Sequence, residues 1–142
     1  MSECPTAAEL VRLSAGLEED TARYYEALAS RFPDRAEQLN GWARDSRKNA
    51  LHIQRTYQET ISDALEACFA FEGLDAKAFA APKTPDSGSW DQACAEAAAM
   101  ETRTITLLNR LADMSQNLLG TMSDAFRSAA LRRAKRGVAT GL

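Results

Sequence analysis

Two glutamates, Glu18 and Glu101, each interrupt an apolar helical line. In steps of three and four the first line runs Val11, Ala15, Glu18, Ala22, Tyr25, Ala29, Phe32 and the second runs Cys94, Ala98, Glu101, Ile105, Leu108, Ala112. The flanking segments repeat at an offset of 83 residues: Leu17-Glu18 matches Met100-Glu101, Tyr24-Tyr25 matches Leu107-Leu108, and Leu28-Ala29 matches Leu111-Ala112. Residues at this spacing share one helix face, so both carboxylates point toward a helical core. An ionised carboxylate is costly to bury unless a cation or hydrogen-bond donors compensate it. A matched pair therefore marks either a cation site or a cluster of donors.

The elements that must position the pair are helices. Thr6 caps the first, with Glu9 completing a capping box, and the helix ends before Pro33. Pro33-Asp34 forms a sharp turn, and Asp34 is the expected cap of a second helix over about 35–72 that Gly73 stops. Leu39, Trp42, Ile53, Ile61, Leu65 and Phe69 form its inner face. At about 55 Å that helix is long enough to predict a bend or break in its last third. Pro82, Pro85 and Gly88 make 74–89 a long connection with one helical turn near 76–80. Ser89, with Gln92 as capping-box partner, starts a third helix that reaches about Met114. A turn over 115–120 leads to a fourth helix ending near Lys135, and 137–142 is expected to fray. Short loop, long crossover, short loop gives two antiparallel hairpins in a single domain over 1–142.

Composition supports this all-α reading. The chain of 142 residues holds 4 Pro and 7 Gly and almost none of the alternating Val/Ile/Thr runs that strands need. It is long enough to bury roughly two-thirds of its unfolded surface. A net charge of −3 argues against a dedicated nucleic-acid binder, and Arg127, Arg132, Arg133, Lys135 and Arg136 read as cations placed at a helix C-terminus. Cys4, Cys68 and Cys94 show no metal-like spacing and no basic-then-apolar leader opens the chain, so a cytoplasmic protein with reduced thiols is expected. No apolar run reaches the roughly 20 residues that a membrane span requires.

The stretch Leu17-Glu18-Glu19-Asp20-Thr21-Ala22-Arg23-Tyr24-Tyr25-Glu26-Ala27-Leu28-Ala29 resembles the first-helix motif of the rubrerythrin branch of the ferritin-like superfamily, and the repeat around Glu101 resembles its third helix. The resemblance implies a ferritin-like four-helix bundle with Glu18 and Glu101 in metal-ligand positions. Such proteins complete a di-iron site with a Glu-x-x-His pair on each of helices two and four. Here the comparable stretches are Trp42 to Asn49, with Ser46 for the glutamate and Asn49 for the histidine, and Met122 to Ala129, with neither ligand type. Four of six ligands are missing, and no Cys-x-x-Cys pair supplies a rubredoxin-like iron site. Di-iron oxidase or peroxidase chemistry is not expected.

Three functional readings remain. The first is a degenerate, non-enzymatic rubrerythrin-like bundle without cofactor, acting through protein surfaces as a homodimer or with a protein partner. Its glutamates are then satisfied by Ser46, Asn49, Tyr25 or a water, or by an inward-reaching arginine such as Arg47 or Arg127. The second is a metal-binding protein with a reduced, mononuclear site, in which Glu18, Glu101 and the oxygen of Asn49 or Ser46 hold one divalent ion (Mn, Mg, Ca or Fe) for redox or iron-related activity. The third is a histidine phosphotransfer module built on His52, the single histidine, with Arg55 standing for the usual lysine and Thr56 for the usual glycine. Trp42, Tyr24, Tyr25 and Phe69 read as core; Phe71, Phe79 and Trp90 either pin the crossover or face a partner.

Overall fold

The computed structural model describes residues 6–60, 74, 76–82, 88–116 and 120–138. Among them are four α-helices and no strand: α1 (Ala7–Arg31), α2 (Ala36–Thr60), α3 (Trp90–Ser115) and α4 (Gly120–Lys135). The α1 start is set by chemistry local to the sequence. Thr6 Oγ1 accepts from the Glu9 backbone N–H at 3.1 Å while the Glu9 carboxylate accepts from the Thr6 N–H, which satisfies two of the donors a helix start leaves free. In α3, Ser89 Oγ accepts from the Gln92 N–H at 3.2 Å, half of the capping box expected there.

The turn into α2 differs from the expected one. Pro33–Arg35 is already a single 3-10 turn, with Pro33 at its first position, where a missing N–H costs nothing. Asp34 therefore sits inside the first turn instead of capping it from outside. Beyond Thr60, the expected end of α2 with Ile61, Leu65, Phe69 and Gly73 lies outside the described residues, as do Phe71, Cys4, Cys68 and Pro85. The crossover does contain a helical turn, Ala76–Phe79, which packs on α1 through Phe79, 7 % exposed.

The helices pair as α1 with α2 and α3 with α4, and α2 also lies along α4. Cross-links read in opposite directions on each pair, as antiparallel neighbours require: Ala112 with Ser123 and Glu101 with Arg133 between α3 and α4, Asn49 with Arg132 and Asp45 with Arg136 between α2 and α4.

Two apolar clusters fill the interior. One gathers Leu10, Leu17, Ile53, Leu108, Leu111, Met122 and Phe126; the other gathers Ala22, Tyr25, Leu28, Leu39, Ala43, Ala97 and Met100. Helices α1, α2 and α3 pass from one cluster to the other across a pair of buried polar residues three positions apart, Glu18 and Thr21 on α1, Ser46 and Asn49 on α2, Glu101 and Thr104 on α3, and α4 leaves the first cluster through Arg133 and Arg136 before Val138 joins the second. The result is a single polar layer between two apolar ones, built from the i, i+3 spacing that puts two side chains on one helix face.

Of the stretch expected to fray, only Gly137 and Val138 are among the described residues, and Val138 is docked. Gly137 takes φ 79°, a left-handed value natural to glycine, and reverses the chain so that Val138 is 1 % exposed beside Tyr25, Leu28, Trp42 and Trp90. Residues 139–142 lie outside the described set. No helix among the described residues is long and apolar enough to cross a membrane.

Candidate functional site

Glu18 and Glu101 are 1 % and 0 % exposed and face each other across the polar layer. Their compensating charge comes from α4. Arg133, fully buried, lies between them: its Nε and one terminal nitrogen donate to the two oxygens of Glu18 at 3.0 and 2.9 Å, and its other terminal nitrogen donates to Glu101 at 2.7 Å. The remaining N–H groups reach Thr21 Oγ1 at 2.7 Å and Met100 Sδ at 3.8 Å. A guanidinium has five N–H donors, and all five are matched. The two-point contact with Glu18 is the planar fork geometry that distinguishes arginine from lysine.

Arg136 completes the layer from its rim. It donates to the second oxygen of Glu101 at 2.8 Å, to Asp45 at 2.8 and 3.1 Å, and to Ser46 Oγ at 2.8 Å, with its guanidinium carbon 5.9 Å from the Tyr25 ring centre. Tyr25 donates its hydroxyl to Glu101 at 2.5 Å. Asn49 offers its amide N–H to Glu18 at 3.5 Å and accepts from Arg132 with its oxygen.

The electrostatics follow from this packing. Burial alone would raise the Glu101 carboxyl, yet Arg133, Arg136 and the Tyr25 hydroxyl hold it below the ordinary carboxylate range. Burial pulls Arg133 the other way, but the charges of Glu18 and Glu101 more than restore it and raise its pKa. Burial and the adjoining Glu101 push the Tyr25 hydroxyl well above its usual value, so it remains a donor. Tyr24, pushed up to about 12 mainly by burial, is with Ser115 one of two buried hydroxyls without a partner among the described residues.

Of the residues named from sequence, Glu18, Glu101, Ser46 and Asn49 do converge, together with Tyr25. The arginines are different ones. Arg47 stays at the surface on Glu19 and Glu26, and Arg127 on Asp113. Reading the basic cluster as helix-end cations overlooked that Arg133 and Arg136 continue the inner line of α4, which runs Met122, Phe126, Ala129, Arg133, Arg136 in steps of four and three. The α4 stretch level with the carboxylates also lies two turns beyond the one compared with the family motif, because an antiparallel neighbour meets Glu101 only at Arg133. Thr21 and Thr104 went unnoticed, although they extend the 83-residue repeat; each donates its hydroxyl to the carbonyl four residues back, Leu17 and Met100. Cys94 is half-buried in the shallow apolar hollow with Trp42, Trp90 and Val138. His52 is exposed on α2, while Thr56, the residue in the place of a docking glycine, turns inward at 6 % exposure.

These donors do not fit a metal. Both oxygens of each glutamate already accept from a guanidinium, Asn49 presents nitrogen to the pair, and a divalent ion would have to share the space with Arg133 and Arg136. The chain matches no family model, no curated protein and no solved structure.

Proposed function

We propose that this chain is a non-enzymatic ferritin-like scaffold whose interior, where di-iron relatives would carry metal, is closed by its own arginine, and that it acts through its surfaces in a homodimer or a partner complex. The observation that supports the reading most is Arg133, fully buried between Glu18 and Glu101 with every N–H donor matched. A cation that belongs to the chain needs no uptake, oxidation or release, and its charge cannot be removed at physiological pH. The layer then contributes register and cohesion, and contact with other molecules falls to the outer faces. Those faces include Leu51 on α2 and Leu131 on α4, 45 % and 57 % exposed.

The test combines composition and mass. Protein purified from iron-supplemented cells is expected to carry well under one iron per chain, to lack oxo-bridged di-iron absorption, and to melt at the same temperature with or without chelator. Sedimentation is expected to show a dimer or a retained partner. Two irons per chain would overturn the closed-interior reading; a monomer with no partner at all concentrations would overturn the surface reading.

A further inference from the structure

The pocket around the Arg133 head group is built like a receptor site. The acceptors of its N–H groups come from α1 and α3: Glu18 and Thr21 on one side, Met100 and Glu101 on the other. The acceptors are arranged for a flat, three-nitrogen cation. The Glu18 carboxylate takes two parallel N–H bonds on one edge, Glu101 takes one on the next, and Thr21 and Met100 Sδ take the two outer hydrogens. A spherical ion would prefer oxygen donors closing in from several directions, and would leave the thioether without a role. The arginine stem only connects this head group to α4.

From this geometry we infer that Glu18, Thr21, Met100 and Glu101 form a binding site for a guanidinium group as such, with Arg133 as its tethered occupant. The ligand class is a planar guanidinium cation, free or on an alkyl chain, in preference to a divalent metal. This deepens the closed-interior reading and shares its premise that Arg133 lies between the carboxylates. It also predicts a property that the scaffold reading does not need: the site should recognise its ligand after the tether is cut.

The full chain carrying Arg133→Leu keeps a stem that ends where the arginine Cδ lies and vacates the head-group space, Nε position included, which free guanidinium fits. Arg133→Ala vacates the stem as well, which ethylguanidinium fits. Each variant is expected to melt below the parent, and its melting temperature should rise with the logarithm of low-millimolar concentrations of the matched ligand. Sodium or manganese chloride at equal ionic strength should give no such rise, nor should the parent respond to either ligand. Adding Glu101→Gln to Arg133→Leu should weaken the response. If a variant is unfolded when isolated, the same ligand titration should restore its helical circular dichroism signal. The inference is overturned if neither variant is stabilised or refolded by its ligand, or if sodium or manganese works equally well. Failure of rescue in a protein that still carries no iron would remove the receptor property and leave the closed interior standing. Iron bound by the parent would remove both.

Discussion

Hairpin α1–α2 and hairpin α3–α4 place the same Glu-x-x-Thr pair at the same level, Glu18 with Thr21 and Glu101 with Thr104, yet the partner helices treat it in opposite ways. From α2 come Ser46 and Asn49, short and neutral. From α4 come Arg133 and Arg136, long and charged, and Arg133 reaches past its own hairpin to Glu18, 115 residues away in sequence. One half makes room and the other fills it. Charge balance in the layer therefore depends on the two hairpins being docked: Glu101 is paired with Arg133 and Arg136 of its own half, whereas the cation that pairs with Glu18 is Arg133 from the other half. The carboxylates are not spare acids awaiting a ligand; they are half of an ion-pair cluster whose other half is the end of α4.

The sharpest way to break that comparison is to truncate one layer residue from each hairpin. Arg133→Met leaves two buried carboxylates short of a partner and is expected to cost about 3–5 kcal/mol. Asn49→Ala removes one long hydrogen bond and is expected to cost about 1 kcal/mol. Urea unfolding of both variants measures the difference, and equal losses would mean that the two helices contribute alike.

Smaller effects sharpen it further. In a polar pocket without arginine, replacing either glutamate by glutamine would leave stability level or raise it. With Arg133 fully engaged, Glu18→Gln and Glu101→Gln should each lower stability by about 2 kcal/mol, the scale of a hydrogen bond to a charged group. Thermal melts of the two variants at neutral pH decide between these signs.

The smallest effect concerns pH. The Glu101 carboxyl lies below its ordinary value of 4.5 in the folded protein, so its contribution is present above that pH and is lost as pH falls through the folded value. The tyrosines work in the other direction. Tyr24 is raised from 10.0 to about 12, so the stability it contributes holds below pH 10 and declines as pH rises from 10 toward 12. Urea midpoints measured across pH should show an acid limb that flattens in Arg133→Met, because Arg133 is the leading charge holding Glu101 down.

Much of this was readable in the sequence, and what was not has a physical cause. The helix starts at Thr6 and Ser89 rest on side-chain-to-backbone bonds within three residues, which makes them visible locally. The inward aim of Glu18 and Glu101 follows from periodicity, and the neutral donors Asn49 and Tyr25 lie on the inner faces of neighbouring turns. The arginines were obscured because a cluster of cations at a helix end has an ordinary explanation in the helix dipole. Only the continuation of the α4 line through Phe126 and Ala129 to Arg133 tells the buried cations from the exposed Arg132 and Lys135. Which α4 residues stand level with Glu101 depends on how the two helices of that hairpin align, and no local pattern encodes it. The docking of Val138 needed the left-handed turn at Gly137, which a lone glycine near a chain end does not announce.

The central claim, that the chain's own arginine is the cation between Glu18 and Glu101, is tested most directly by a crystal structure of the parent protein grown with manganese, with anomalous diffraction recorded. The account predicts continuous density for the Arg133 guanidinium bridging the two carboxylates and no anomalous peak between them. A manganese peak coordinated by Glu18 and Glu101, with Arg133 turned away, would contradict it.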